Sequence, residues 1–264
     1  MLKAIALVSL LVLSAGAVAQ DRPAAGPEIH FTANAGVMVG VDGARFLIDA
    51  LMGDGLDGYT KSEGAERAKL EAGQPPFDVD AILATHWHED HFSAHAVAAH
   101  LSRNPRAVLV SSVEIAQRVR AIVPALAPRL KGVTPLPGTF QTVDVAGVPV
   151  RVLRIRHNKV RRNPEEHVGY LVGRSATVLH TGDADPVADN FTLMKQLPPV
   201  DVGLMPTWYL ETPEMRRFVA TSIAPRRIFG MHLTAEMADT IRKKIGDPSV
   251  TLLVKPVPAT GQPR

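Results

Sequence analysis

Apolar residues along the chain form short runs separated by glycine, proline and polar residues. The runs 37–41 and 44–48 flank the dipeptide Asp42-Gly43, a strong signal for a β-hairpin with a tight turn. Other runs predict further strands, which we place at 79–84, 107–110, 140–145, 148–155, 168–172, 177–179, 202–205, 227–230 and 251–254. The remaining pattern predicts helices at 65–71, 94–102, 112–121, 192–197, 213–221 and 235–245.

The order of these elements predicts the architecture. Each half of the chain begins with hairpins and continues with alternating strands and helices, which is typical of βαβ units with parallel strands. The linkers are too short to separate two domains. We therefore predict an α/β fold: a four-layer αββα sandwich in which two mixed β-sheets pack face to face and helices cover their outer faces.

The N-terminal segment differs from the rest of the chain. A positive start precedes residues 4–13, which are almost entirely apolar, and residues 17–19, Ala-Val-Ala, match the small-x-small pattern of a cleavage site. The run is shorter than the roughly 20 strongly apolar residues that a membrane anchor needs. We expect a signal peptide over 1–19 and a single mature domain over 20–264, periplasmic or secreted, without stable membrane insertion.

Composition and charge exclude several classes of protein. Hydrophobic residues make up 46% and charged residues 21% of the chain, which is typical of globular proteins and argues against disorder. The formal net charge is only +3, so we expect no nucleic-acid partner. Cysteine is absent, so any metal ion must be held by histidine or carboxylate side chains.

The densest group of candidate metal ligands follows the predicted strand 79–84. Four of them lie within six residues: His86, His88, Asp90 and His91. Imidazole and carboxylate groups suit zinc and similar divalent ions, and a tight loop can direct alternate side chains to two neighbouring ions. A polar loop with coincidental histidines is the alternative, but the whole chain has only ten histidines. We therefore predict a metal centre at this strand end.

The segment from His86 to His91 resembles the HxHxDH motif of the metallo-β-lactamase-fold hydrolases. Further motifs are similar to those of this family in order and spacing, and they contain Asp49, His157, the Gly182-Asp183 turn and His232. The stretch 168–185 resembles most closely the branch that contains ascorbate-6-phosphate lactonase and N-acylphosphatidylethanolamine phospholipase D. The resemblance extends along most of the mature chain.

The resemblance implies a centre with two divalent metal ions, with Zn²⁺ expected and Mn²⁺ or Fe²⁺ as alternatives. It implies these ligands: His86, His88 and His157 for one ion, Asp90, His91 and His232 for the other, and Asp183 between them. His167 competes with His157 as a ligand, and we favour His157 because it closes a long β run. A metal-bridging hydroxide would then attack the substrate, and Asp90 would act as a catalytic residue that orients it.

These features imply an exported hydrolase that cleaves an ester, lactone or phosphoester bond in a small-molecule substrate. Asp183 argues against the first alternative, a β-lactamase, because β-lactamases of this fold generally lack the bridging aspartate. A non-catalytic metal-binding or redox protein on the same fold is the second alternative. We expect Trp208 and Tyr209 to line the cleft. Arg156 lies among five cations over 154–162, and we expect it either to bind an anionic substrate group or to belong to a solvated basic loop.

Overall fold

The computed structural model describes residues 26–54, 57–158 and 166–255, which form two β-sheets with helices on their outer faces. The expected signal peptide over 1–19 and residues 159–162 of the basic stretch lie outside these ranges. Within the described ranges, no helix is long and apolar enough to cross a membrane.

The first sheet has six strands in chain order. They are β1 (Glu28–Ala33), β2 (Gly36–Val41), β3 (Ala44–Ile48), β4 (Ala81–Ala84), β5 (Val108–Ser111) and β6 (Leu130–Gly132). Strands β1 to β3 pair antiparallel, and the predicted hairpin is present with Val41 opposite Ala44. Strands β3 to β6 pair parallel. Parallel pairing needs crossover connections, which contain α1 (Gly64–Ala72), α2 (Ala94–Arg103) and α3 (Val113–Ile122).

The second sheet repeats this plan with seven strands. They are β7 (Phe140–Val145), β8 (Val148–Leu153), β9 (Gly169–Val172), β10 (Val178–His180), β11 (Val202–Pro206), β12 (Arg227–Met231) and β13 (Val250–Leu252). Strands β7 to β10 pair antiparallel, and β10 to β13 pair parallel. The helices of this half are α4 (Ala188–Phe191), α5 (Pro213–Ser222) and α6 (Ala238–Ile245).

Alternation of side chains along the strands divides the apolar residues among three cores. Phe46 of β3 and Val150 of β8 belong to the cluster between the two sheets. Leu47, the next residue along β3, faces the opposite way and packs in the cluster beneath α1, α2 and α3. Leu179 of β10 packs in the cluster beneath α4, α5 and α6. The predicted four-layer αββα sandwich of two mixed sheets is therefore confirmed.

Several elements differ from the sequence prediction. The segment predicted as a helix over 192–197 is a 3₁₀ helix, Thr192–Gln196, that follows the single turn of α4. Strand β6 was not predicted, because three residues at a sheet edge are too few to show a period-two pattern.

Candidate metal centre

The candidate metal centre lies where several strands of both sheets end. Strands β3 and β4 run parallel, as do β10, β11 and β12. Strand β8 shares the direction of β10, because both pair antiparallel with β9. Carboxyl ends of parallel strands meet at one edge of a sheet, where open α/β sheets place their ligands. The segments that follow these ends carry Asp49, the 85–91 loop, His157, the 181–183 turn and His232.

The first group of ligand-type side chains consists of His86, His88 and His157, whose candidate ligand nitrogens all lie within 4.8 Å of one another. The Nε2 atom of His86 is 2.9 Å from Nδ1 of His88. The ring of His157 lies 4.8 Å and 4.9 Å from the rings of His86 and His88. His86 and His157 are buried, whereas His88 is partly exposed, so this group opens to solvent beside His88.

The second group consists of Asp90, His91 and His232, with Asp183 beside it. The Nε2 atom of His232 lies 3.1 Å from Oδ2 of Asp90 and 3.4 Å from Oδ2 of Asp183. The Nε2 atom of His91 lies 3.3 Å from Oδ1 of Asp183. On its other side, Asp183 Oδ2 is 3.8 Å from Nε2 of His157. The carboxylate of Asp183 therefore lies within reach of both groups.

Several buried atoms in this centre make no hydrogen bond. Among the described residues, they are Nε2 of His91, Nε2 of His157, Oδ1 of Asp183 and Nδ1 of His232. Buried polar atoms are normally paired, because leaving one without a partner costs free energy. Metal ions bound between the ligand groups would give the first three of these atoms a partner. Five imidazoles and two carboxylates are also ligands that zinc and iron accept, so the residues present fit such ions.

Hydrogen bonds at the far ring nitrogens set the tautomers of two histidines. The Nδ1 atom of His91 donates to Oδ2 of Asp49 at 2.8 Å, and Nδ1 of His157 donates to the carbonyl oxygen of Asn158 at 2.7 Å. Both partners only accept, so Nδ1 carries the proton. The Nε2 atom of each ring is then free to bind a metal ion.

Asp49 is linked by hydrogen bonds to a histidine of each ligand group. Its carboxylate is buried and accepts hydrogen bonds from the backbone N–H of Thr85, from the Thr85 hydroxyl, both at 2.7 Å, and from His91. Because the Thr85 hydroxyl donates to Asp49, its oxygen can accept from Nδ1 of His86 at 3.0 Å. Asp49 therefore contacts His91 directly and supports His86 through Thr85.

The carboxylates of the centre hold protons on two of its histidines. Burial opposes a charge on His91, but Asp183 and Asp49 outweigh it and raise its pKa well above the usual range. Burial likewise opposes a charge on His232, yet Asp183 and Asp90 raise its pKa to about 9. Despite burial, the bond to His232 lowers the pKa of Asp90 to about 2. Divalent ions that bind here would replace these protons as the positive charge.

His167, the alternative to His157, has both ring nitrogens in use. Its Nδ1 donates to the carbonyl oxygen of Ile155 at 2.9 Å, and its Nε2 accepts the backbone N–H of Asp183 at 3.1 Å. Burial lowers the pKa of His167 to about 3, which keeps the ring neutral and able to accept. His167 therefore holds the Asp183 turn in place, and the geometry favours His157 as the ligand.

The turn that carries Asp183 requires a glycine. Gly182 has a φ of +52°, and a Cβ added there would lie 2.7 Å from the side chain of Thr85 and 2.8 Å from Nε2 of His167. Its N–H donates to Nδ1 of His180 at 3.1 Å, while Nε2 of His180 donates to the carbonyl oxygen of Ala35 at 2.8 Å. Both ring nitrogens of His180 are thus engaged in supporting the turn.

The Gly182→Ala substitution is expected to lower the free energy of unfolding by about 3 kcal/mol, because left-handed strain adds to overpacking. Gly147→Ala is the matched control: Gly147 has a φ of +79° but nothing within 4 Å of an added Cβ, so only about 1 kcal/mol of strain is expected. Urea unfolding of both variants measures the difference. Equal losses would show that the turn has room for a side chain.

Two aromatic rings form one wall of the centre. The ring of Tyr59 lies 5.0 Å from that of His232, and the ring of Trp208 lies 5.2 Å from it, both edge-on. The indole N–H of Trp208 is buried and makes no hydrogen bond to the described part of the chain. Trp208 was predicted to line the cleft. Tyr59 was not, because it lies in a glycine-rich loop without a recognisable motif.

A third aromatic residue, Trp87, lies beside the first ligand group. Its ring is 4.9 Å from that of His88, and the guanidinium of Arg118 lies over it at 5.1 Å from the ring centre. Such a cation–π contact restrains this partly buried ring. The side chain that flanks His88 is therefore held from helix α3, which carries Arg118.

Two expected substrate contacts have different positions in the structure. Tyr209 is fully buried, and its hydroxyl donates to the carbonyl oxygen of Ala184 at 2.9 Å. It packs beneath the Asp183 turn and does not line the cleft, because the short 3₁₀ helix Thr207–Tyr209 turns it toward the core of the second sheet. Arg156 has an exposed side chain next to His157, and its part in substrate binding remains a prediction.

Comparison with known proteins identifies the family. Residues 44–253 match the family model described as the β-lactamase superfamily domain. The chain therefore belongs to the metallo-β-lactamase superfamily, as its motifs indicated. No curated protein sequence matches the chain.

Solved structures show the same fold at low sequence identity. Igni18, a metallo hydrolase from the archaeon Ignicoccus hospitalis, is 18% identical, with 87% of this chain and 95% of that chain covered and a TM-score of 0.59. An isothiocyanate hydrolase from Delia radicum gut bacteria is 14% identical, with 87% and 97% covered and a TM-score of 0.55. CmlA, a diiron β-hydroxylase from Streptomyces venezuelae, is 15% identical, with 87% and 53% covered and a TM-score of 0.57.

Proposed function

We propose that this protein is a hydrolase with two divalent metal ions, expected to be Zn²⁺, that cleaves an ester, lactone or phosphoester bond. The observation that carries the proposal is the convergence of seven ligand-type side chains on one largely buried site, where four of their atoms make no hydrogen bond to the described part of the chain. Fold relatives that are themselves described as hydrolases, such as Igni18 and the isothiocyanate hydrolase, support hydrolysis as the reaction class.

The proposed ligand sets follow the two groups in the structure. One ion would be held by His86, His88 and His157, the other by Asp90, His91 and His232, with Asp183 between them. Such a pair of ions, when bound, supplies a water of lowered pKa and a Lewis acid for the substrate oxygen.

The protein's own residues would position the reaction. Asp90 has a pKa near 2 and so remains an anion at neutral pH. As the proposed catalytic residue, it would accept a hydrogen bond from the attacking water and orient it. Asp49 would keep His91 in the tautomer that faces the centre. The partly exposed His88 marks the side from which a substrate would enter.

The side chains around the centre suit a small organic substrate. Tyr59 and Trp208 offer ring surface beside His232, and this suits an apolar or ring-shaped group. Arg156 would bind an anionic group of the same substrate. We propose that the protein acts within the branch of lactonases and phosphodiesterases that its sequence resembles, and that its partners include neither nucleic acid nor, after processing, a membrane.

The proposal is tested by metal analysis of the purified protein together with an activity panel of an aryl ester, a lactone, a phosphodiester and nitrocefin. We expect about two metal ions per chain and turnover of an ester, lactone or phosphodiester, with little cleavage of nitrocefin. One ion or none, with no turnover on the panel, would contradict the proposal. Iron at the site with electron transfer but no hydrolysis would favour a redox protein.

We also propose that the protein is exported and cleaved after Ala19, on the strength of its N-terminal pattern alone. Expression of the full chain in a Gram-negative host, followed by N-terminal sequencing of the periplasmic fraction, tests this. A mature protein that begins at Gln20 is expected. Retention in the cytoplasm with an intact N-terminus would contradict export.

A further inference from the structure

The turn between β1 and β2 brings Asn34 into the candidate metal centre. Asn34 is buried, and its Nδ2 donates to the carboxylate Oδ2 and to the backbone oxygen of Asp90, both at 3.1 Å. Both partners only accept, so the amide can face Asp90 with its nitrogen alone. An asparagine in a hairpin turn ordinarily bonds to its own turn. This one instead reaches a residue 56 positions along the chain.

The backbone of Asn34 holds the partner ligand of Asp90. The carbonyl oxygen of Asn34 accepts the N–H of His232 at 3.2 Å, and the N–H of Asn34 donates to the carbonyl oxygen of Thr60 at 3.1 Å. Asn34 thus contacts Asp90 through its side chain and His232 through its main chain. These two side chains also meet each other, with 3.1 Å between Nε2 of His232 and Oδ2 of Asp90.

Three of the six non-glycine residues with a left-handed backbone in the described chain lie at the same place. Asn34, Asp49 and His232 have φ values of 42°, 50° and 62°. Left-handed backbone costs a residue with a side chain about 1–2 kcal/mol, and such strain persists only where the surroundings impose it. All three residues adjoin the second ligand group. The hydrogen bonds of Asn34 are part of what maintains this arrangement.

We propose that Asn34 is a positioning residue for the second metal ion, and this inference rests on the proposed function. Its amide restrains the carboxylate of Asp90, and its carbonyl oxygen restrains the main chain of His232. Partners that hold metal ligands in orientation commonly contribute about 10- to 100-fold in metal affinity. The first group, His86, His88 and His157, has no contact with Asn34 among the described hydrogen bonds, so its affinity should not depend on this residue.

The test is a Co²⁺ titration of the metal-free protein, followed by visible absorption, for wild type and Asn34→Gly. Glycine tolerates the left-handed backbone and keeps both main-chain hydrogen bonds, so only the amide is lost. Wild type should bind two equivalents. In Asn34→Gly the first equivalent should bind within about twofold of wild type and the second about 10- to 100-fold more weakly, with a changed spectrum.

Asp42→Gly is the matched control, because Asp42 is also a left-handed turn residue, with a φ of 51°, in the next hairpin. It should leave both Co²⁺ affinities unchanged. Asn34→Ala also removes the amide but does not add the backbone freedom of glycine. Thermal unfolding shows whether each variant folds. Two unchanged affinities in folded Asn34→Gly or Asn34→Ala would overturn the role of Asn34 while the two-metal function stands. A wild-type titration that ends at one equivalent would overturn the two-metal function itself, and this inference with it.

Discussion

Asp183→Asn is expected to lower turnover about a thousandfold, which corresponds to about 4 kcal/mol of transition-state stabilisation. The carboxylate of Asp183 lies 3.3 Å from Nε2 of His91 and 3.8 Å from Nε2 of His157, so it faces both ligand groups. An amide has the same shape but no negative charge, and it offers only one oxygen. On the proposed function, the variant would therefore bind metal ions poorly and lose the charge that orients the attacking water.

The measurement is kcat on the best substrate of the activity panel, with metal content determined on the same samples. Asp185→Asn is the matched control, since the same chemical change two residues later lies outside the ligand set; its kcat should stay within about twofold. Far-UV circular dichroism and urea unfolding show whether each variant keeps the fold. Near-normal turnover in a folded Asp183→Asn protein would show that Asp183 does not join the two ions.

The fold was predictable from the sequence because its signals are local. The Asp42-Gly43 dipeptide specifies a hairpin, and alternation of strands and helices specifies parallel pairing with crossovers. Strand β6 escaped prediction because its three residues pair at a sheet edge and bury little side-chain surface. The segment around Thr192 shows a helical pattern, but whether it forms α or 3₁₀ turns depends on packing against the second sheet.

Local sequence signals predicted only part of the metal centre. His86 to His91 form a dense local motif, whereas His157, Asp183 and His232 were identified only through resemblance to the family, because single histidines and aspartates carry no local signal. Their approach in space follows from strand direction, since each follows a strand whose carboxyl end faces the same edge.

Asn34 and Tyr59 were beyond sequence reasoning. Asn34 follows β1, which shares the direction of β3 because both pair antiparallel with β2, so Asn34 and Asp49 lie at the same end of the sheet. Nothing in the adjacent sequence indicates the contact of Asn34 with Asp90. Tyr209, in contrast, was assigned to the cleft although it is buried. Its position next to Trp208 suggested a cleft wall, but the sequence does not show which of the two neighbours faces the core.

Removal of the metal ions with a chelator is expected to abolish hydrolysis and to lower Tm by about 8–16 °C. Two ions, each present at about thirty times its Kd, together stabilise the native state by about 4 kcal/mol, and each kcal/mol shifts Tm by about 2–4 °C in a chain of this size. Differential scanning calorimetry before and after chelation, with metal content measured in parallel, checks the result. An unchanged Tm in protein shown to be metal-free would contradict a bound metal pair.

The size of this shift should depend on pH in a defined direction. In the metal-free protein, Asp183 and Asp90 outweigh burial and raise the pKa of His232 to about 9, above its unfolded value of 6.5. Protonated His232 therefore stabilises the metal-free fold fully below about pH 6.5, and this stabilisation is lost as the pH rises toward 9. Bound metal ions would replace that proton on His232. The metal-loaded protein would therefore not lose this stabilisation as the pH rises. The difference in Tm between loaded and metal-free protein should consequently widen from pH 6.5 to pH 9.

Asp183→Asn should show a smaller difference and a weaker pH dependence, because both the metal ligand and the charge that raises the pKa of His232 are removed.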